Sequence, residues 1–205
     1  MRIHRRKDVP CPRRSGTPQR RYRFGRREAA ASAKGQQELS CARVLLMGAP
    51  NVGKSVIFHR LTGVYVTVSN YPGTTVEVSK GYMRWADRLI EVVDTPGMYS
   101  LRPVTEEEFV ARRLLLREHT DVILHVLDSK NIGRMLTMTL ELMETGIPVI
   151  VVANMLDEAQ RLGFELDFGV LQERLGAPVI PTSAVEGVGL DGLRDALRLA
   201  LASHG

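Results

Sequence analysis

The stretch from Val44 to Gly63, VLLMGAPNVGKSVIFHRLTG, restricts the fold more than any other part of the chain. An apolar run, Val44 to Met47, ends at Gly48. The pattern G-x-x-x-x-G-K-[ST] fills Gly48 to Ser55, and an amphipathic run with Val56, Ile57, Phe58 and Leu61 follows. A strand, a glycine-hinged loop and a helix start, in that order, are the context of a phosphate-binding loop. Gly48, Ala49, Pro50, Asn51, Val52, Gly53, Lys54, Ser55 and Val56 are then expected around a polyphosphate. The glycines let backbone N–H groups turn inward, and the helix N-terminus adds partial positive charge. Lys54 reaches the β- and γ-phosphates, and the Ser55 hydroxyl ligates Mg²⁺. The loop alone does not select a base.

The 205 residues suffice for one domain with a real core. Cys11 and Cys41 show no C-x-x-C spacing, so neither a disulfide framework nor a thiolate metal site is suggested, and a cytoplasmic location fits. No apolar run approaches the roughly 18 residues needed to span a bilayer. The net charge of +5 divides unevenly. Residues 1–40 hold 12 Lys+Arg against 3 Asp+Glu, or +9, and the remainder holds 16 against 20, or −4. Without apolar periodicity, residues 1–40 read as a disordered basic extension. It is a solvated tail, or a surface for RNA or an anionic membrane with Tyr22 and Phe24 as stacking residues.

From Ala42 strands and helices alternate, which predicts an α/β fold: a mostly parallel sheet with helices on both faces. Residues 64–75 read as an exposed loop. Strands are expected at 76–85 and 88–93 with a tight turn at Asp87, then at 122–127, 147–153 and 178–181. With the first strand this gives six, five parallel and one antiparallel. Thr105 followed by Glu106, Glu107 and Glu108 predicts a capping box, and Arg112, Arg113 and Arg117 suit the far end of that helix. A helix over 132–145 places Leu136, Leu140 and Met143 at core spacing. Another is expected near 167–175. The last helix carries Leu190, Leu193, Leu197 and Leu201 on one face. His125, inside an apolar strand, reads as a core histidine rather than a ligand, and Met135, Met138 and Met143 as helix core or surface.

Three further signals fall at the ends of predicted strands, where open α/β sheets hold ligands. Asp94-Thr95-Pro96-Gly97 is an ordinary turn in isolation. After a phosphate loop, its acid suits the Mg²⁺ shell and the Gly97 N–H suits a γ-phosphate. Asn154-Met155-Leu156-Asp157 is close to the N-K-x-D guanine motif. A carboxylate accepts from the guanine ring N–H and exocyclic amine, donors that adenine lacks. Methionine replaces the usual lysine. Ser183-Ala184-Val185 is similar to the short loop that backs guanine through a main-chain N–H.

Taken together, GAPNVGKS, NYPGTTVE, DTPGMYSL, EEEFVARRLLL and NMLD resemble the cytosolic G domain of the ferrous iron transporter B family over roughly residues 42–201. The resemblance implies a Ras-like P-loop GTPase fold over residues 41–203, without the family's helical domain and membrane permease. It implies that Thr74 and Thr75 sit at the nucleotide, with Thr75 closing on Mg²⁺ and the γ-phosphate. Residues 66–75 and 94–104 would be the two mobile switches. It also implies a K⁺ ion ligated by Asn51, so that Lys54, Thr75, Gly97 and Asn51 carry catalysis. Met98 stands where small GTPases carry a water-orienting glutamine. The expected function is slow, K⁺-assisted GTP hydrolysis in a regulatory domain linked to ferrous iron transport. Expected partners are GTP and GDP, a separate permease at the cytoplasmic membrane face, and a second copy of the chain. Two rival readings are a ribosome- or RNA-associated GTPase with a basic tail, and a GTP/GDP-binding switch with negligible turnover.

Overall fold

Along the first strand, Val44 and Leu46 enter one hydrophobic cluster and Leu45 and Met47 another, all fully buried. Side chains that alternate between two buried faces mark a central strand covered on both sides. In the computed structural model, which describes residues 42–63, 66–85 and 88–203, that strand is β1 (Ala42–Met47). The others are β2 (Val66–Asn70), β3 (Glu77–Trp85), β4 (Arg88–Asp94), β5 (Val122–Asp128), β6 (Val149–Asn154) and β7 (Val179–Pro181). They form one sheet in the order β2-β3-β4-β1-β5-β6-β7. β1 pairs in parallel with β4 and β5, and β5, β6 and β7 continue in parallel. β3 is antiparallel to both of its neighbours.

Among the described residues the sheet has seven strands, not six. The addition is β2, in a stretch whose sequence reads as a loop. It pairs with β3 from Val66↔Gly81 to Asn70↔Glu77 and closes the sheet at one edge. Four of its five residues are exposed, so no alternation of apolar side chains announces it. Asp87, Cys11, Cys41, Tyr22, Phe24 and the rest of the basic extension lie outside the described residues.

The helices are α1 (Lys54–Thr62), α2 (Glu106–Arg117), α3 (Ile132–Met143), α4 (Leu156–Arg161), α5 (Phe168–Leu175) and α6 (Leu190–Ala202). α1 and α6 cover one face, through Ile57, Phe58 and Leu61 and through Leu193, Leu197 and Leu201. α2 and α3 cover the other through Val110, Leu114, Met138 and Leu142. The capping box of α2 is formed: Glu108 N donates to Thr105 Oγ1 at 3.3 Å, and Thr105 N donates to Glu108 Oε2 at 3.4 Å. Val104 N, at 2.8 Å, is the main cause holding the Glu108 carboxyl below the usual range. On α3 the buried line is Met138, Thr139 and Leu142, whereas Leu140 is 53% exposed, contrary to the spacing expected from Leu136, Leu140 and Met143.

Thr139 is buried because it partners His125 of β5, whose Nδ1 lies 3.0 Å from Thr139 Oγ1. Burial, with the Lys54 charge second, pushes the His125 ring down to about 3 from 6.5. The folded chain therefore holds it neutral, while the unfolded chain takes a proton below about 6.5. Stability is complete above that pH and is lost as pH falls from about 6.5 towards 3. Between about pH 7.5 and about pH 5 this amounts to about 2 kcal/mol. Urea unfolding of the wild type and His125→Asn at both pH values should show that excess loss in the wild type alone. Equal pH dependence in the two would remove His125 as its source.

Candidate nucleotide site

β1 ends between the C-terminal ends of β4 and β5 in the middle of the sheet, where the chain first leaves towards β2–β4 and later returns towards β5–β7. Such a switch point opens a crevice beyond the strand ends. The loop Gly48–Gly53 lies there. Gly48 has φ 145, and a Cβ on it would overlap the Val126 carbonyl of β5. Asn51 and Met155 are the described non-glycine residues with positive φ, at 63° and 60°. One lies in the phosphate loop and the other in the base motif, so local strain gathers where the ligand is expected. α1 starts behind Gly53 with no side-chain cap and no acid in its first turn, leaving its first N–H groups to an anion.

Lys54, 8% exposed, folds back to donate to Ala49 O at 3.0 Å. Burial lowers its ammonium and Asp94 partly restores it. The Ser55 hydroxyl donates to Asp94 Oδ2 at 2.8 Å, while the buried Asp94 Oδ1 has no partner among the described residues. Burial raises the Asp94 carboxyl, opposed by Ser55, Lys54 and His59. Thr95 is tied back to β1 through its hydroxyl, 2.7 Å from Leu46 O, and Met98 N donates to Gly48 O at 3.0 Å. Gly97 faces the phosphate loop so closely that a Cβ would stand 2.7 Å from Pro50 Cγ and 2.8 Å from Pro50 N. Met98 is fully buried and its side chain is unavailable to a water at the site.

The base side converges on Asn154. Its Nδ2 donates to Val52 O at 2.9 Å, and its Oδ1 accepts from Thr182 Oγ1 at 3.1 Å and Ala184 N at 3.0 Å. One buried amide thus joins the phosphate loop to the Ser183–Val185 loop. Asp157 accepts from Ser183 Oγ at 2.9 Å and from Arg161 Nη2 at 2.8 Å. Ser183 first, then Arg161, hold its carboxyl below the usual range. Because Asn154 takes the Ala184 N–H, the N–H groups of this turn without an acceptor among the described residues are those of Val185 and Glu186.

The structure brings Gly48–Val56, Asp94–Gly97, Asn154, Met155, Asp157 and Ser183–Val185 to one end of the sheet. Thr74 and Thr75 lie at the same end, in the turn between β2 and β3. The Thr74 hydroxyl is spent on that turn, donating to Tyr71 O at 2.9 Å and accepting from Val76 N at 3.2 Å. Thr75 is exposed, and no bond among the described residues joins it to Ser55 or Asp94.

Residues outside the motifs complete the site. Thr182 supports Asn154, and its only signal in the sequence is adjacency to Ser183. Arg60 of α1 donates to Ala184 O and Val185 O, and nothing in its local sequence marks it. Lys130 bridges Glu158 and stands 3.8 Å from Met155 Sδ, placing a lysine beside the motif position that lost one.

A family model described as ferrous iron transport protein B matches residues 42–197. The chain belongs to the ferrous iron transport protein B family. Within that family it is 44% identical over 156 residues to the Fe(2+) transport protein A/Fe(2+) transporter FeoB fusion protein of Porphyromonas gingivalis, covering 76% of this chain and 18% of that one. It is 38% identical over 159 residues to the Fe(2+) transporter FeoB of Synechocystis, covering 78% and 26%. The chain therefore spans about a fifth to a quarter of these relatives' lengths. The solved cytosolic domain of L. pneumophila FeoB superposes with a TM-score of 0.74 at 36% identity, over 77% of this chain and 69% of that one. The cytosolic domain of T. maritima FeoB in its GMPPNP form gives 0.74 at 39% identity, over 78% and 64%. The G domain of T. maritima FeoB gives 0.72 at 37% identity, over 78% and 98%. The fold is accordingly the family's G domain, of GTPase type. No described helix is long and apolar enough to cross a membrane.

Proposed function

We propose that this chain binds Mg²⁺-GTP, hydrolyses it slowly to GDP and phosphate, and serves as the cytosolic regulatory domain of a ferrous iron uptake system. The observation that carries the reading is Asn154, whose single amide ties the phosphate loop at Val52 to the base loop at Ala184, with the Asp157 carboxylate beside it. This arrangement fits a purine nucleotide lying across both loops, with Asp157 choosing guanine. The GDP and GMPPNP forms of the T. maritima cytosolic domain support the same assignment.

The residues fit Mg²⁺: the Ser55 hydroxyl and Asp94 carboxylate meet at 2.8 Å, and Asp94 Oδ1 is buried without a partner. When bound, the ion neutralises charge on the β- and γ-phosphate oxygens. Lys54 exchanges its Ala49 carbonyl for phosphate, the uncapped turn of α1 supplies N–H donors, and the Gly97 main chain senses the γ-phosphate. Thr75 reaches the site only if the β2–β3 turn moves. With Met98 buried, no side chain at its position orients water, which supports a slow intrinsic rate. Asn51, exposed and without a described partner, offers its amide oxygen to K⁺, a charge placed where an arginine would otherwise assist. The partner in iron uptake is a ferrous iron permease at the cytoplasmic face of the membrane.

Single-turnover hydrolysis in KCl and NaCl at equal ionic strength tests this function. The expected result is at least about tenfold faster hydrolysis in KCl, roughly 1.4 kcal/mol of barrier, lost in Asn51→Ala. Slow but equal rates in both salts would end the K⁺ role, and no turnover in either would leave a binding switch.

A further inference from the structure

Arg60 reaches from the last turn of α1 to the base loop. Its Nε donates to Ala184 O at 3.1 Å and its Nη2 to Val185 O at 2.6 Å, across 124 and 125 residues of sequence. We propose that Arg60 is a positioning residue that sets how long a guanine nucleotide stays bound, by fixing the Ala184–Val185 main chain; this rests on the nucleotide reading given above. A planar guanidinium spanning two adjacent carbonyls holds the orientation of both peptides, which a point charge cannot do.

The loop has little else to hold it beyond Ala184. Val185 is 74% exposed and Glu186 is exposed too, so no packing fixes them. Gly187 N and Val188 N both return to Ser183 O, and Ser183 N to Val188 O, which closes the loop on itself without tying it to the rest of the fold. Asn154 holds the Ala184 N–H from one side, and Arg60 holds its carbonyl from the other. Among the described residues the Val185 and Glu186 N–H groups have no acceptor, and Arg60 grips the carbonyl of Val185, the nearer of the two to Ala184.

Arg60 is itself braced. Arg194 of α6 donates to Arg60 O at 3.1 Å while its Nη1 pairs with Asp191 at 2.8 Å. Lys54 and Ser55 open the same helix that ends near Arg60, so one short rigid helix carries the phosphate end of the site and restrains the base end. Cutting the tie frees the base wall and leaves the phosphate wall in place. The effect therefore falls on nucleotide release rather than on the chemical step.

The test uses the full chain and a fluorescent GDP analogue chased by excess GDP. Arg60→Ala is expected to release it about tenfold faster, ~1.4 kcal/mol, with Kd rising in proportion. Arg60→Lys should fall between, because an ammonium on a flexible stem lacks the planar fork that fixes both carbonyls at once. The single-turnover rate at saturating GTP should change far less, and preference for GDP over ADP should drop. Release unchanged from wild type would overturn the proposal. So would equal weakening of GDP and ADP together with a lower Tm of the nucleotide-free chain, which is what a merely structural arginine gives. A wild-type chain that binds no GDP would instead sink the nucleotide reading itself, and the proposal with it.

Discussion

Replacing Asp157 by Asn is expected to weaken GDP binding by about two orders of magnitude and to shift preference towards xanthosine diphosphate. The carboxylate accepts hydrogen bonds only, which suits a ring N–H and an exocyclic amine. An amide turned to donate meets the guanine amine donor to donor, whereas xanthine presents a carbonyl there. Losing two charge-assisted bonds in a partly desolvated site is worth roughly 3 kcal/mol, which sets the expected scale. Asp157 belongs to no hydrophobic cluster, and its partners are Ser183 and the exposed Arg161, so the nucleotide-free chain should melt near the wild-type temperature. Titration of the wild type and Asp157→Asn with GDP and XDP checks the swap. Unaltered GDP affinity would mean that Asp157 does not face the base.

Gly48→Ala should strike the fold as hard as Asp157→Asn strikes selectivity. Gly48 sits at φ 145, where side chains are strained, and the added Cβ would run into the Val126 carbonyl in the middle of β5. Neither neighbour can yield cheaply: Val126 is fully buried in the sheet, and Gly48 O already accepts from Met98 N at 3.0 Å. Strain and overlap together point to a loss of about 3 kcal/mol, a fall in Tm of roughly 6–12 °C for a domain of this size. Because the phosphate loop and the Asp94 loop both hang on this position, GDP affinity should fall with it. A variant with wild-type Tm would show that the loop relaxes more freely than its contacts allow. By contrast, a methyl group added at Gly73 or Gly63 would enter open space, and alanine there meets only the backbone strain of a positive φ.

How much of this is legible in the sequence depends on how local the signal is. The phosphate loop, the capping box of α2 and the Leu190, Leu193, Leu197, Leu201 line of α6 each carry their reason within about a dozen residues, and each stands where its pattern predicts. β2 escapes a reading by periodicity because an edge strand with four exposed residues has no buried face to print on its sequence. The inward face of α3 is ambiguous in sequence because Met135, Leu136, Met138, Leu140, Leu142 and Met143 make the helix apolar on several sides. The Thr139 partner of His125 decides which side turns in. Arg60 and Lys130 are invisible for a different reason. Their partners lie far along the chain or on another element, so no window of sequence contains both halves of the contact.

The β2 edge has a consequence for how the molecule can change state. Most of its side chains touch solvent on both faces, so its attachment is almost wholly the single ladder to β3, and the two core clusters scarcely depend on it. Thr75 lies just beyond that ladder. Drawing Thr75 inward therefore calls for breaking edge hydrogen bonds that water can replace, and leaves the buried interior nearly intact. If Thr75 does move inward, the free energy of that change and the free energy of unfolding are separate quantities, and a substitution at Thr67 or Ser69 is expected to tune the first while leaving the second almost unmoved.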